Sequence, residues 1–168
     1  MKRSLVLVAV AVALCFDFVI DAGELSPATI LEKIRTYRAQ HEVEIVTELA
    51  DLVALPNIAA DLEAMEVNAE VLTGLLEARR FSVALLRAEG GPPVVYAERS
   101  SEGAGRTVVF YAHYDGQPVV RELWDSDPWE VVIRTGRVEE GAGIVPMNAL
   151  VPPLEPEWRL YGRSASDD

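Results

Sequence analysis

The residues best placed by type and spacing to do chemistry are His113 and Asp115, in the stretch VVFYAHYDGQPV from Val108 to Val119. In an extended segment, residues two apart point to the same side, so an imidazole and a carboxylate can be presented together. That pairing suits a metal ligand and its orienting partner. A metal-bound imidazole normally donates its other ring N–H to a carboxylate or carbonyl, which fixes the tautomer and raises the basicity of the ligating nitrogen. Taken alone, an H-x-D pair is more often a hydrogen-bonded histidine at the surface than a metal site.

The chain ends in WRLYGRSASDD, Trp158 to Asp168, and the segment WDSDPWEVVIRTGR, Trp124 to Arg137, lies between the two. Together, AHYDGQPV, WDSDPWE and LYGRSASDD resemble the N-terminal part of the co-catalytic zinc metallopeptidase family. That family includes carnosinase-like dipeptidases, glutamate carboxypeptidase, succinyl-diaminopimelate desuccinylase and aminoacylase, and the likeness is strongest to the dipeptidase branch. It implies that His113 binds one of two divalent metal ions, zinc in the family, and that Asp115, the residue assigned a catalytic role, orients that histidine. It further implies that Asp167, the first aspartate of the final pair, bridges both ions. Two divalent ions roughly 3.5 to 4 Å apart need negative charge between them, and together they activate a hydrolytic water.

The same resemblance implies hydrolysis of a peptide or N-acyl amide bond, with a peptide or N-acyl amino acid as substrate and a homodimer in the full-length protein. Ser164 stands where the family usually has glycine, and the stretch between the motifs is longer than in most members. In the family the general-base glutamate, the remaining carboxylate ligands and a second histidine all lie downstream of the position of Asp168. The expectation is therefore a truncated chain, inactive alone, whose two ligands are fewer than catalytic zinc needs. The alternative is a non-catalytic remnant or binding module retaining half the fold, associating through unpaired strands.

The elements that must position these residues follow from periodicity. Ser26 and Pro27 read as an N-cap and first helical residue, and Ile30, Leu31, Ile34 and Tyr37 recur at helical spacing over 26–40. A second apolar stripe, Ile45, Leu49, Leu52 and Val53, stops near 54 ahead of Pro56. From Ile58, the positions Leu62, Met65, Ala69, Leu72 and Leu76 mark an amphipathic helix running to about Arg80. Valine-rich runs then predict strands over 81–87, 94–98 and 107–112, with a Gly90-Gly91-Pro92-Pro93 turn, and 137–156 reads as a loop. The fold class is α/β: the N-terminal part of a zinc-peptidase-like catalytic domain, helices packed on a mixed sheet.

Lys2 and Arg3 precede an uncharged run, Leu5 to Phe16, about half the length needed to cross a bilayer. This predicts a signal peptide over 1–22, cleaved near Ala22, with 23–168 as the incomplete catalytic portion. The product is then exported, periplasmic or extracellular, with no stable membrane insertion after cleavage. Cys15 lies inside the run, so the mature chain lacks cysteine and relies on a core, a metal or a partner instead of disulfides. The net charge of -12 argues against nucleic acid and anionic membranes as partners. His41 reads as a solvated residue, Trp124, Trp129 and Trp158 as loop anchors, and Arg163 as a structural ion-pair partner.

Overall fold

A computed structural model describes residues 26–165. The signal segment over 1–22 and Asp167 lie outside the described residues.

The first two predicted helices form one run, α1 (Pro27–Val53), with a kink at His41, whose φ of -120° and ψ of 16° are not helical. Ser26 caps it, its Oγ accepting from the Thr29 amide at 3.2 Å, and Pro27 occupies the first turn, where no N–H is needed. Before the kink the helix is exposed throughout, and the stripe of Ile30, Ile34 and Tyr37 has no described element over it. After the kink, Ala50 and Val53 are buried. The third predicted helix is α2 (Leu62–Ala78), opened by Asp61, whose Oδ1 accepts from the Ala64 amide at 3.0 Å. Met65 and Ala69, one helical turn apart, are fully buried on its inner face.

Strands β1 (Ser82–Leu86) and β2 (Val94–Glu98) form an antiparallel hairpin in which Ser82 faces Glu98 and Leu86 faces Val94. Burial alternates along both, so Val83, Leu85, Val95 and Ala97 turn inward while their neighbours face out. The hairpin packs on α2. Glu66 of α2 clamps Arg87 just past β1, with Arg87 Nη2 donating to Oε2 at 2.8 Å and Nη1 to Oε1.

A second sheet has the order β4-β3-β5, all antiparallel: β3 (Val132–Arg134), β4 (Ile144–Val145) and β5 (Arg159–Tyr161). Val132 and Ile133 are buried in it, and the segment 137–156, expected as loop, supplies β4 between short turns. Leu150 of the same segment is buried, and the Leu154 amide donates to Glu42 Oε1 at 2.8 Å, tying the loop to α1. The α/β class holds. Within the described residues, the sheets are antiparallel, and the one parallel pairing is an isolated bridge between Ile58 and Gly116.

The predicted strand over 107–112 is not formed. These residues lie outside every strand, and Val108, Val109, Phe110 and Tyr111 are 72%, 85%, 91% and 91% exposed. An extended segment becomes a strand by satisfying its amides and carbonyls across a ladder, and no described neighbour offers one. No helix among the described residues is long and apolar enough to cross a membrane.

Candidate metal-ligand loop

His113 lies on a loop and not at a strand end, and its position comes from three ties. On one side, the Tyr114 hydroxyl donates to the carbonyl of Pro93, a fully buried residue immediately before β2. From the connector between α1 and α2, Asn57 Nδ2 donates to the Tyr114 carbonyl at 3.0 Å, the Gly116 amide donates to the Asn57 carbonyl at 2.7 Å, and the Ala59 amide to the Gly116 carbonyl at 2.9 Å. From the segment after β5, Arg163 Nε donates to the Gln117 carbonyl at 3.2 Å, while its own amide donates to the Pro128 carbonyl at 2.7 Å. Arg163, which makes this backbone tie, is 8% exposed.

These ties bring two of the three predicted site residues together. His113 Nδ1 lies 2.9 Å from the Asp115 backbone carbonyl and 3.4 Å from Asp115 Oδ1. The carbonyl is the nearer acceptor and has no proton to give, so Nδ1 is the donor. The side chains are half exposed, 50% and 47%, and they border a broad cleft of about 1680 Å³ lined also by Asn57, Met65, β2 and the 107–112 segment. Asp167 follows the segment anchored by Arg163, beyond the described residues.

Tyr114, between the two, has its phenol pushed above the ordinary value, first by burial and then by the negative charges of Glu66 and Asp115. His41 is elsewhere, stacked on Tyr37 with ring centroids 4.4 Å apart and paired through Nδ1 with Glu44 Oε2 at 2.6 Å. Trp124, Trp129 and Trp158 are half-buried in their loops.

The donor set fits part of a metal site. An imidazole whose Nδ1–H is engaged presents Nε2 as the ligating nitrogen, the arrangement that metal-binding histidines use. Among the described residues no group of three or more histidine, cysteine, aspartate or glutamate side chains converges to hold an ion. The contribution of Asn57 was not legible in residue types chosen for metal chemistry; an asparagine following proline in a helix connector reads as a turn residue.

Three known proteins are similar to this chain. The chain is 29% identical to human Beta-Ala-His dipeptidase over 158 residues, which covers 84% of this chain and 27% of that protein. It is 34% identical over 55 residues to the Cys-Gly metallodipeptidase DUG1 of Saccharomyces cerevisiae, 32% of this chain and 11% of that one. With the Schizosaccharomyces pombe Cys-Gly metallodipeptidase dug1 it shares 21% identity over 151 residues, 82% of this chain and 27% of the relative. No protein-family model matches the chain, and no solved structure does. The matched proteins are dipeptidases, two of them metallodipeptidases by name. Dipeptidases of this kind are what the motifs AHYDGQPV, WDSDPWE and LYGRSASDD resemble. It spans 27% of the length of the two relatives matched over most of this chain.

Proposed function

We propose that this chain forms part of a metal-dependent hydrolase of the dipeptidase type, acting on a peptide or N-acyl amide bond. His113, through Nε2, and Asp167 would hold divalent metal, zinc in the family the motifs resemble, and Asp115 orients His113. The observation that carries this reading is the engagement of His113 Nδ1 by the Asp115 carbonyl at 2.9 Å, within a chain whose relatives are dipeptidases.

When bound, the metal would supply Lewis acidity and an activated hydrolytic water. The chain's own residues bind and orient. Asp115 holds the imidazole in one tautomer and restrains its ring, so that less rotamer freedom is lost when Nε2 ligates. The Pro93, Asn57 and Arg163 ties hold the loop against the domain and keep that aim fixed. Residues 1–22 serve as a signal segment for export, and the full-length protein is a homodimer. Lys2 and Arg3 ahead of Leu5 to Phe16 support the first of these.

A second reading is a non-catalytic module that associates through the exposed Val108 to Tyr111 segment, which lies outside every strand and can pair with another. Zinc titration calorimetry on the 168-residue chain, with His113→Ala beside it, separates the two. Binding that disappears in His113→Ala supports the ligand assignment. Equal heats from both proteins would remove His113 from the site and favour the module.

A further inference from the structure

Asn57 touches the metal-ligand loop twice, and both contacts fall on the peptide units flanking Asp115. Its side-chain Nδ2 donates to the carbonyl of Tyr114, which belongs to the Tyr114–Asp115 peptide. Its backbone carbonyl accepts from the Gly116 amide at 2.7 Å, which belongs to the Asp115–Gly116 peptide. In a planar trans peptide the N–H and C=O point in opposite directions. With the Gly116 N–H aimed at Asn57, the Asp115 C=O is aimed away from it, and it lies 2.9 Å from His113 Nδ1.

We propose that Asn57 is the positioning residue of the His113–Asp115 pair, setting the two peptide planes that hold His113 as its Nδ1–H tautomer, the form in which Nε2 is the nitrogen that can ligate a divalent cation. The inference rests on the reading of His113 as a ligand and deepens it.

Three further observations favour this role over a purely structural one. Asn57 is 7% exposed and its Oδ1 accepts no hydrogen bond among the described residues, an arrangement that costs stability and so asks for a function. Gly116 is required by the same contact, since a Cβ there would lie 2.8 Å from Asn57 Oδ1. An alanine at 57 would remove the donor that holds the Tyr114–Asp115 peptide, one of the two planes on which the direction of the Asp115 carbonyl depends.

The test uses the 168-residue chain, Asn57→Ala, Asn57→Ser and Gly116→Ala, each checked for folding by thermal melt. Long-range proton–nitrogen NMR spectra of the neutral imidazoles report the tautomer without metal, and the His41 signals serve as the internal control. Cobalt(II) titration read by its visible spectrum reports the site. The expected result is an Nδ1–H tautomer at His113 in the natural sequence, conversion toward Nε2–H in Asn57→Ala and Gly116→Ala, and cobalt affinity weakened about 10-fold or more in both. If Asn57→Ala does not fold, Asn57→Ser decides, because its shorter side chain does not reach the Tyr114 carbonyl. An Nε2–H tautomer in the natural sequence, or variants that keep the natural tautomer, would overturn the proposal. Should the natural protein show Nδ1–H that is lost in the variants yet bind no cobalt, the positioning role stands and the hydrolase reading fails.

Discussion

Gly162 sits directly against the last turn of α1: a Cβ at this position would lie 3.0 Å from Val53 Cγ1 and 3.4 Å from Val131 Cγ2. Val53 is itself buried, so it has little room to give way. Gly162→Ala therefore overpacks the junction that anchors the segment leading to Asp167. The expected loss is about 1–3 kcal/mol of unfolding free energy, read as a lower urea midpoint with unchanged slope. A variant as stable as the natural chain would mean that the junction is looser than the geometry says.

Asn68 joins α2 to the connector that holds the metal-ligand loop. It is 3% exposed, and its Nδ2 donates to the Pro56 carbonyl at 2.7 Å and the Ala64 carbonyl at 2.9 Å. Pro56 immediately precedes Asn57, so this bond fixes where the connector starts. Asn68→Ala leaves the Pro56 carbonyl without this donor and should cost about 1–3 kcal/mol in chemical denaturation. Hydrogen exchange should also quicken at the Gly116 and Ala59 amides, one connection further on. Loss of stability with exchange at those amides unchanged would confine the role of Asn68 to the core.

The Glu66–Arg87 clamp gives stability a pH dependence with a definite sign. The Arg87 hydrogen bond holds the Glu66 carboxyl below the ordinary glutamate value, outweighing the opposing effect of burial. A carboxyl whose folded pKa is depressed contributes stability above its unfolded pKa, and that contribution is lost as pH falls through the folded value. Urea midpoints measured on the acid side should therefore fall less steeply with pH in Glu66→Gln than in the natural chain. Both side chains are substantially exposed, 54% for Arg87 and 39% for Glu66, so the difference should shrink in about 1 M salt. Parallel pH profiles for the two proteins would show that the clamp contributes nothing in solution.

Much of this architecture was legible in the sequence because local rules set it. The Ser26-Pro27 start, the stop before Pro56 and the run from Leu62 to Leu76 are set by capping, proline sterics and a period that needs no distant partner. The hairpin was legible for the same reason, its turn marked by Gly90 with a positive φ of 73°. Strands β3 and β5 are three residues each, too short to show a period, and depend on one another for pairing. The run over 107–112 failed differently. Valine and aromatic residues report a preference for a pleated surface, and whether a neighbouring strand exists is a property of the whole fold. At the site, the His113–Asp115 proximity follows from spacing, but the acceptor nearer to Nδ1 is the Asp115 carbonyl, and Asn57 orients that peptide from a connector distant in sequence.

The segment Val108 to Tyr111 should govern the chain's behaviour at high concentration. Four consecutive apolar or aromatic residues, each more than two-thirds exposed, lie outside every strand. Such a run is both an apolar patch and an open edge. The chain should self-associate as its concentration rises and bind an apolar fluorescent dye in its folded state. Val109 is 85% exposed, so Val109→Lys should change stability by no more than about 0.5 kcal/mol. A lysine there charges the edge, and the variant should sediment as a smaller species at equal concentration, with weaker dye binding. A Val109→Lys protein that sediments like the natural one would place the association elsewhere, with the exposed stripe of Ile30, Ile34 and Tyr37 on α1 the next surface to charge.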